Sequence, residues 1–141
     1  MGMRLIAHRG LTQGPNKALE NHPDQIKSVL ARGYDCEVDV RYIDGSWFLG
    51  HDQADYEIDY DFLRKQGLWI HAKNLEALYV LGADHLNYFW HQEDDFTLTN
   101  NGFIWTYPNK PFTNKSIIVL TKKEKLNKYK KAYGVCSDFL I

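Results

Sequence analysis

The stretch Asp35-Cys36-Glu37-Val38-Asp39-Val40-Arg41 alternates polar and apolar side chains one for one. A β-strand turns that alternation into two faces, because successive side chains project to opposite sides. Cys36, Val38 and Val40 share a face fit to pack beneath helices, while Asp35, Glu37, Asp39 and Arg41 share the other. Residues 68–73 repeat the pattern: Leu68, Ile70 and Ala72 on one side, Trp69, His71 and Lys73 opposite. In residues 4–8, Ile6 and His8 face away from Leu5 and Ala7. Each of these strands carries its ionisable groups toward its C-terminal end.

Amphipathic helices separate the strands. Pro23 suits the first turn of a helix capped by Asn21 or His22, with Ile26, Val29 and Leu30 on one face and a stop at Gly33. Asp44-Gly45 is a hairpin turn, and residues 47–50 return from it. A short helix is expected over 59–66, and a helix capped by Asn74 through Leu81. Residues 86–92, 96–99, 103–107, 117–120 and 135–140 read as further strands, and 122–133 as a lysine-rich helix. Strands alternating with helices indicate parallel βαβ units. A full (β/α)8 barrel takes ~250 residues. The 141 residues here are one α/β domain, 1–141, built as a reduced or incomplete (β/α)8 TIM barrel. The reduction is expected between Leu86 and Leu120, where helices are missing.

The bulk properties narrow the function classes. A formal net charge of −1 gives no global field to draw nucleic acid. Lysines crowd the end of the chain, at Lys110, Lys115, Lys122, Lys123, Lys125, Lys128, Lys130 and Lys131. They form either an anion-binding face or, as the simpler reading, a solvated helix face. No apolar run approaches the ~18 residues of a membrane span, and the N-terminus lacks a signal peptide's apolar core. Gly2 follows Met1, but Ile6 stands where myristoylation wants Ser or Thr. Cys36 and Cys136 lie in short apolar runs and read as small buried side chains of a reducing compartment, with a disulfide left open. A cytoplasmic protein without stable membrane insertion is expected.

Glu37 and Asp39, pointing together into a barrel mouth, repel each other unless a cation lies between them. Oxygen ligands of that kind suit Mg²⁺ or Ca²⁺. Barrel enzymes place their sites at the C-terminal ends of the strands, and His8, His51, His71 and Lys73 belong to that neighbourhood.

These motifs resemble a known family. Residues 6–10 (IAHRG), Glu20-Asn21, Glu37-Val38-Asp39, Asp44-Gly45 and His51-Asp52 occur in the order and spacing of the glycerophosphodiester phosphodiesterases, part of the phospholipase C-like phosphodiesterase superfamily. Residues 134–139 (GVCSDF) are similar to that family's last barrel strand, and 103–106 to the strand before it. The resemblance implies that His8 and His51 are the general acid and base, that Arg9 and Lys73 bind the substrate phosphate, and that Glu37 and Asp39 ligate a divalent cation. It leaves open which histidine is the acid. Glu20-Asn21 shapes the first loop, and Glu20 is a candidate to face the metal.

One position departs from the pattern. His71 stands where the family has a third carboxylate ligand. Imidazole suits Mn²⁺ or Zn²⁺ better than Ca²⁺. Three alternatives follow: His71 ligates a different metal, a carboxylate such as Glu93, Asp94 or Asp95 replaces it, or metal binding and turnover are impaired. His91 is a weaker site candidate, and His85 weaker still. Trp105 and Tyr107 share a face and form either a wall for a glycerol or sugar moiety or part of the core. The expected partner is a small phosphodiester, not nucleic acid. The alternatives are a phosphodiester-binding module without turnover, phospholipase D-like headgroup cleavage, and a domain acting through its lysine-rich surface. Exposed sheet edges make a homodimer plausible.

Overall fold

Alternation in the sequence becomes a sheet whose two faces do different work. The computed structural model describes residues 2–141. Its strands are β1 (Arg4–His8), β2 (Asp35–Ile43), β3 (Ser46–Leu49), β4 (Tyr56–Ile58), β5 (Leu68–Ala72), β6 (Tyr88–Phe89), β7 (Phe96–Leu98), β8 (Ile104–Thr106), β9 (Ser116–Leu120) and β10 (Gly134–Ser137). The helices among the described residues are α1 (Pro23–Ala31) and α2 (Leu75–Leu81), with 3-10 turns at Tyr60–Arg64 and Leu126–Tyr129.

The protein is a mixed α/β structure with one ten-stranded sheet. The parallel strands lie in the order β6-β5-β2-β1-β10-β9-β8, so the last strand returns beside the first. Gly134 permits that closure: a Cβ there would meet the Arg4 carbonyl oxygen at 2.6 Å. β3 and β4 extend the far end of β2 as an antiparallel meander, and β7 pairs antiparallel with β8. Helix content is low, and a complete (β/α)8 barrel is not shown. Between β6 and the β7–β8 hairpin, Asn100 takes the place of a ladder. Its backbone N–H donates to the Tyr88 carbonyl, its Oδ1 accepts from Tyr88 N (2.8 Å), and its Nδ2 donates to the Leu86 carbonyl (2.7 Å).

The two faces sort by parity, as the sequence requires. Cys36, Val38 and Val40 of β2, with Leu68, Ile70 and Ala72 of β5, pack under Ile26 and Val29 of α1 and Ala77 and Leu81 of α2. On the other face Ile6, Trp69, Phe89, Trp105, Ile117 and Cys136 form one cluster, one residue from each of β1, β5, β6, β8, β9 and β10. α1 starts where His22 Nδ1 accepts from Asp24 N (3.1 Å), with Pro23 in the first turn. α2 starts at Asn74, whose Oδ1 accepts from Ala77 N (3.0 Å).

The expected helix over 122–133 is not formed; only the 3-10 turn at Leu126–Tyr129 is helical there. Lys122, Lys125, Lys128 and Lys131 recur every third residue, so a helix would stack like charges on one face. Tyr129 is the one buried residue in that turn, too little to repay helix nucleation. The expected strand over 86–92 shortens to Tyr88–Phe89, and the expected helix over 59–66 is a 3-10 turn. Among the described residues no helix is long and apolar enough to cross a membrane.

Candidate active site

At the C-terminal ends of the parallel strands lies a cavity of about 390 Å³. The principal site candidates of the sequence line it: His8, Arg9, Glu37, Asp39, His51, His71, Lys73 and Trp105, whereas the lesser candidate Glu20 does not. His8 ends β1, and Glu37 and Asp39 project inward from β2 beside it, in register with Trp69 and His71 of β5. His51 follows Gly50, where φ is +154° and an added Cβ would fall 1.8 Å from the Gln53 carbonyl oxygen. No other residue can make the turn that presents His51 to the cavity.

Arg9 sits among the acids in the left-handed region, at φ 55°. Its Nη1 donates to Glu20 Oε2 (3.2 Å), its Nη2 donates to His51 Nδ1 (2.9 Å), and its Nε lies 3.2 Å from Asp39 Oδ2. Asn21, also left-handed at φ 58°, brackets Asp39: Nδ2 donates to Asp39 Oδ2 (2.9 Å), and Oδ1 accepts from Asp39 N (3.0 Å). The Glu20-Asn21 pair therefore braces Arg9 and Asp39. Two strained residues held this way are typical of a functional site.

The hydrogen bonds fix the imidazoles. A guanidinium only donates, so His51 Nδ1 is the acceptor from Arg9 and its ring proton is on Nε2. His8 Nδ1 lies 2.7 Å from Asp138 Oδ1 and donates to it, leaving Nε2 toward the cavity, 3.9 Å from Glu37 Oε1. Burial pulls the His8 pKa down, but Asp138 and the Glu37 charge outweigh it, so it stands above its ordinary value. His71 Nε2 donates to the His91 carbonyl (2.9 Å), which turns Nδ1 toward Asp39 Oδ1 (3.4 Å) and Glu37 Oε2 (3.6 Å). Burial opposes charging here too, yet Asp39 and Glu37 raise the His71 pKa to about 9. Burial works against the Asp39 carboxylate, but His51, His71 and Arg9 hold its pKa well below the usual range.

One oxygen is left over. Asp39 Oδ1 is buried and accepts no hydrogen bond among the described residues. Its separation from His71 Nδ1, and that of Glu37 Oε2 from the same nitrogen, exceed a good N–H···O bond. They match the ~3.4 Å edge of a tetrahedron of ligands with ~2.1 Å bonds. Ligand atoms of Glu37, Asp39 and His71 all lie within 4.8 Å of one another. The donor set therefore fits a divalent cation. Glu93, Asp94 and Asp95 are exposed and do not line the cavity, so none replaces the missing carboxylate.

Lys73 lines the cavity with no carboxylate within 4.0 Å among the described residues. Trp105 is 5% exposed and stacks on Phe89 (4.3 Å between centroids), so it is both floor of the cavity and core. His91 and Tyr107 line the opposite wall, their rings 4.4 Å apart, while His85 faces a separate cavity with Asp35 and Tyr133. Asp138 is the functional residue that sequence reasoning missed. The rule that flagged Glu37 and Lys73, an ionisable group at the C-terminal end of a parallel strand, applies to it equally. Cys36 and Cys136 are free buried thiols, their pKa values pushed up by burial.

Neither a protein-family model, nor a curated protein, nor a solved structure matches the chain.

Proposed function

We propose that the chain is a metal-dependent phosphodiesterase on a reduced (β/α)8 barrel, acting on a small phosphodiester of the glycerophosphodiester kind. One observation carries this reading: two imidazoles of different proton arrangement, a carboxylate pair, an arginine and an unpaired lysine converge on one cavity at the strand ends. Such a set matches an ester that carries one negative charge and gathers more on its way to products.

The residues divide the work. Lys73 and Arg9 bind the non-bridging oxygens. His51, whose Nδ1 carries a lone pair, takes the proton from the attacking water or substrate hydroxyl once Arg9 turns to the phosphate. The attacking oxygen forms its bond to phosphorus as the bond to the leaving alcohol breaks. His8, charged through Asp138 and Glu37, gives its Nε2 proton to the leaving oxygen. A neutral base and a cationic acid are the pairing that general acid–base catalysis needs near neutral pH. Glu37, Asp39 and His71 would hold the divalent cation, which when bound supplies positive charge to the phosphate oxygens.

The test uses two leaving groups. Purified protein with a divalent cation is assayed on glycerophosphocholine and on bis(p-nitrophenyl) phosphate, whose leaving group needs no proton. His8→Ala is expected to lose the first activity far more than the second, and His51→Ala to lose both alike. Absence of turnover with Mg²⁺, Ca²⁺, Mn²⁺ and Zn²⁺, while phosphodiesters still raise Tm, overturns the enzyme in favour of a binding module.

A further inference from the structure

The proposed cation site leaves the class of ion open. We infer that the site selects a first-row transition ion such as Mn²⁺ or Zn²⁺ over Mg²⁺ and Ca²⁺, with His71 Nδ1 as the selecting ligand and the loop from His91 to Asp94 as the clamp that aims it. The inference rests on the cation reading of this site and is independent of which ester is cleaved.

The argument starts from a carbonyl. The His91 C=O can only accept, so the 2.9 Å contact places the ring proton of His71 on Nε2. Nδ1 is thereby left as the nitrogen that faces Asp39 and Glu37. The ring cannot easily flip away, because it stacks on Phe89 at 4.9 Å and 17°. The carbonyl is itself held. His91 is 7% exposed, its Nε2 donates to the Asp94 carbonyl at 2.6 Å, and its ring packs against Tyr107. Tyr107 closes the arrangement by donating its hydroxyl to the Gln92 carbonyl (3.2 Å). A carbonyl-fixed imidazole is the outer-shell device that sets the tautomer and basicity of metal-ligating histidines.

The ligand chemistry then decides between ions. Ca²⁺ and Mg²⁺ favour oxygen-only shells. A nitrogen among two carboxylates shifts preference toward Mn²⁺, Zn²⁺ and their neighbours. No third carboxylate among the described residues restores an all-oxygen set: Glu20 is occupied by Arg9 and Lys17. The orphaned Asp39 Oδ1, on a side chain 1% exposed, is the second ligand that the nitrogen complements.

The experiment measures binding without substrate. Metal-stripped full-length chain is titrated calorimetrically with Mn²⁺, Zn²⁺, Mg²⁺ and Ca²⁺ in turn, alongside the variants His71→Glu, His71→Asn and His91→Ala. Wild type is expected to hold Mn²⁺ and Zn²⁺ at least about tenfold more tightly than Mg²⁺ and Ca²⁺. His71→Glu, and His71→Asn if the glutamate variant does not fold, are expected to collapse the Mn²⁺/Ca²⁺ ratio about tenfold or more. His91→Ala is expected to weaken Mn²⁺ and Zn²⁺ about tenfold and so to narrow the ratio, because the clamp acts through His71; a ratio that it leaves unmoved overturns the clamp. A wild type that prefers Ca²⁺ or Mg²⁺, or a ratio unmoved by both His71 variants, overturns the inference and leaves the cation site standing. Failure of all four ions to bind overturns the cation site as well. Phosphodiester turnover, assayed separately, decides neither outcome.

Discussion

The first half of the sheet and the second half are built for different ends. β1, β2 and β5 are five to nine residues long and hold their inner-face charge at their C-terminal ends, while α1 and α2 cover their outer apolar face. β6, β8, β9 and β10 are two to five residues long, and loops or a 3-10 turn stand in for most of their helices. What they send inward is Phe89, Trp105, Ile117 and Cys136. The charged wall gathers groups that cost free energy to bring together; the apolar wall supplies the burial that holds them there. Most of the charge thus sits on the first-half strands and most of the inner apolar burial on the second, with Asp138, after β10, reaching across to His8.

One substitution in each wall tests that division most severely. On the charged wall, His51→Ala is expected to lower turnover of a phosphodiester about a thousandfold, equivalent to ~4 kcal/mol of barrier. Its unfolding free energy should stay within about 1 kcal/mol of wild type, since His51 is a partly exposed loop residue. On the apolar wall, Trp105→Ala is expected to cost roughly 3–5 kcal/mol of stability, because it empties the stack between Phe89 and Trp69. Urea unfolding and steady-state rates on both variants make the check. Equal losses of stability in the two would break the comparison.

A smaller effect concerns pH in chelated protein. The folded pKa of His71, about 9, stands above its ordinary 6.5. Its contribution to stability is therefore complete below about pH 6.5 and is lost as pH rises through 9. Linkage makes this on the order of 3 kcal/mol, with His8 shifted the same way. Asp39, shifted downward, acts at the opposite end, losing its contribution only in strong acid. Thermal unfolding in a chelator from pH 6 to pH 9.5 should show a falling Tm that His71→Asn flattens. A pH-independent Tm in wild type would show that the charged wall is not held together by its own cations.

The same division explains what could be read from the sequence. β2 and β5 were legible because charge on one face and aliphatics on the other admit a single orientation, and Glu37, Asp39, His71 and Lys73 followed from it. Asn74 and Pro23 marked helix starts by their own chemistry. The second half gave weaker cues. β6 keeps two residues of an expected seven-residue strand, because Asn100 takes over its hydrogen bonding. β4, at Tyr56-Glu57-Ile58, is too short to show a period and forms only because β3 presents an edge. The lysine spacing from Lys122 was compatible with a solvated helix face, and repulsion with little burial decided otherwise. Asp138 obeyed the strand-end rule, but its partner His8 lies 130 positions away, and only closure of β10 on β1 brings them together.

Two asparagines give the finest comparison. In the first half Asn74 ties α2 to β2: Oδ1 accepts from Ala77 N and Tyr42 N, and Nδ2 donates to the Tyr42 carbonyl. In the second half Asn100 ties β6 to the β7–β8 turn, by both its side chain and its own backbone. Replacement by alanine removes three bonds at Asn74 and two at Asn100, whose backbone bond stays, and each is expected to cost about 1–2 kcal/mol. The consequences should differ in reach. Around Asn74, the strand pairs of β2 and β5 and the packing of α2 remain, so amide exchange should quicken in the first turn of α2 alone. Around Asn100 no ladder remains between β6 and β7, so exchange should quicken across residues 86–92 and reach the His91 carbonyl that orients His71. If Asn100→Ala leaves that carbonyl's loop protected, the seam is held instead by the packing of Phe89 against Trp105 and by the bonds of Thr97 Oγ1 to the Trp90 carbonyl and of Tyr107 to the Gln92 carbonyl.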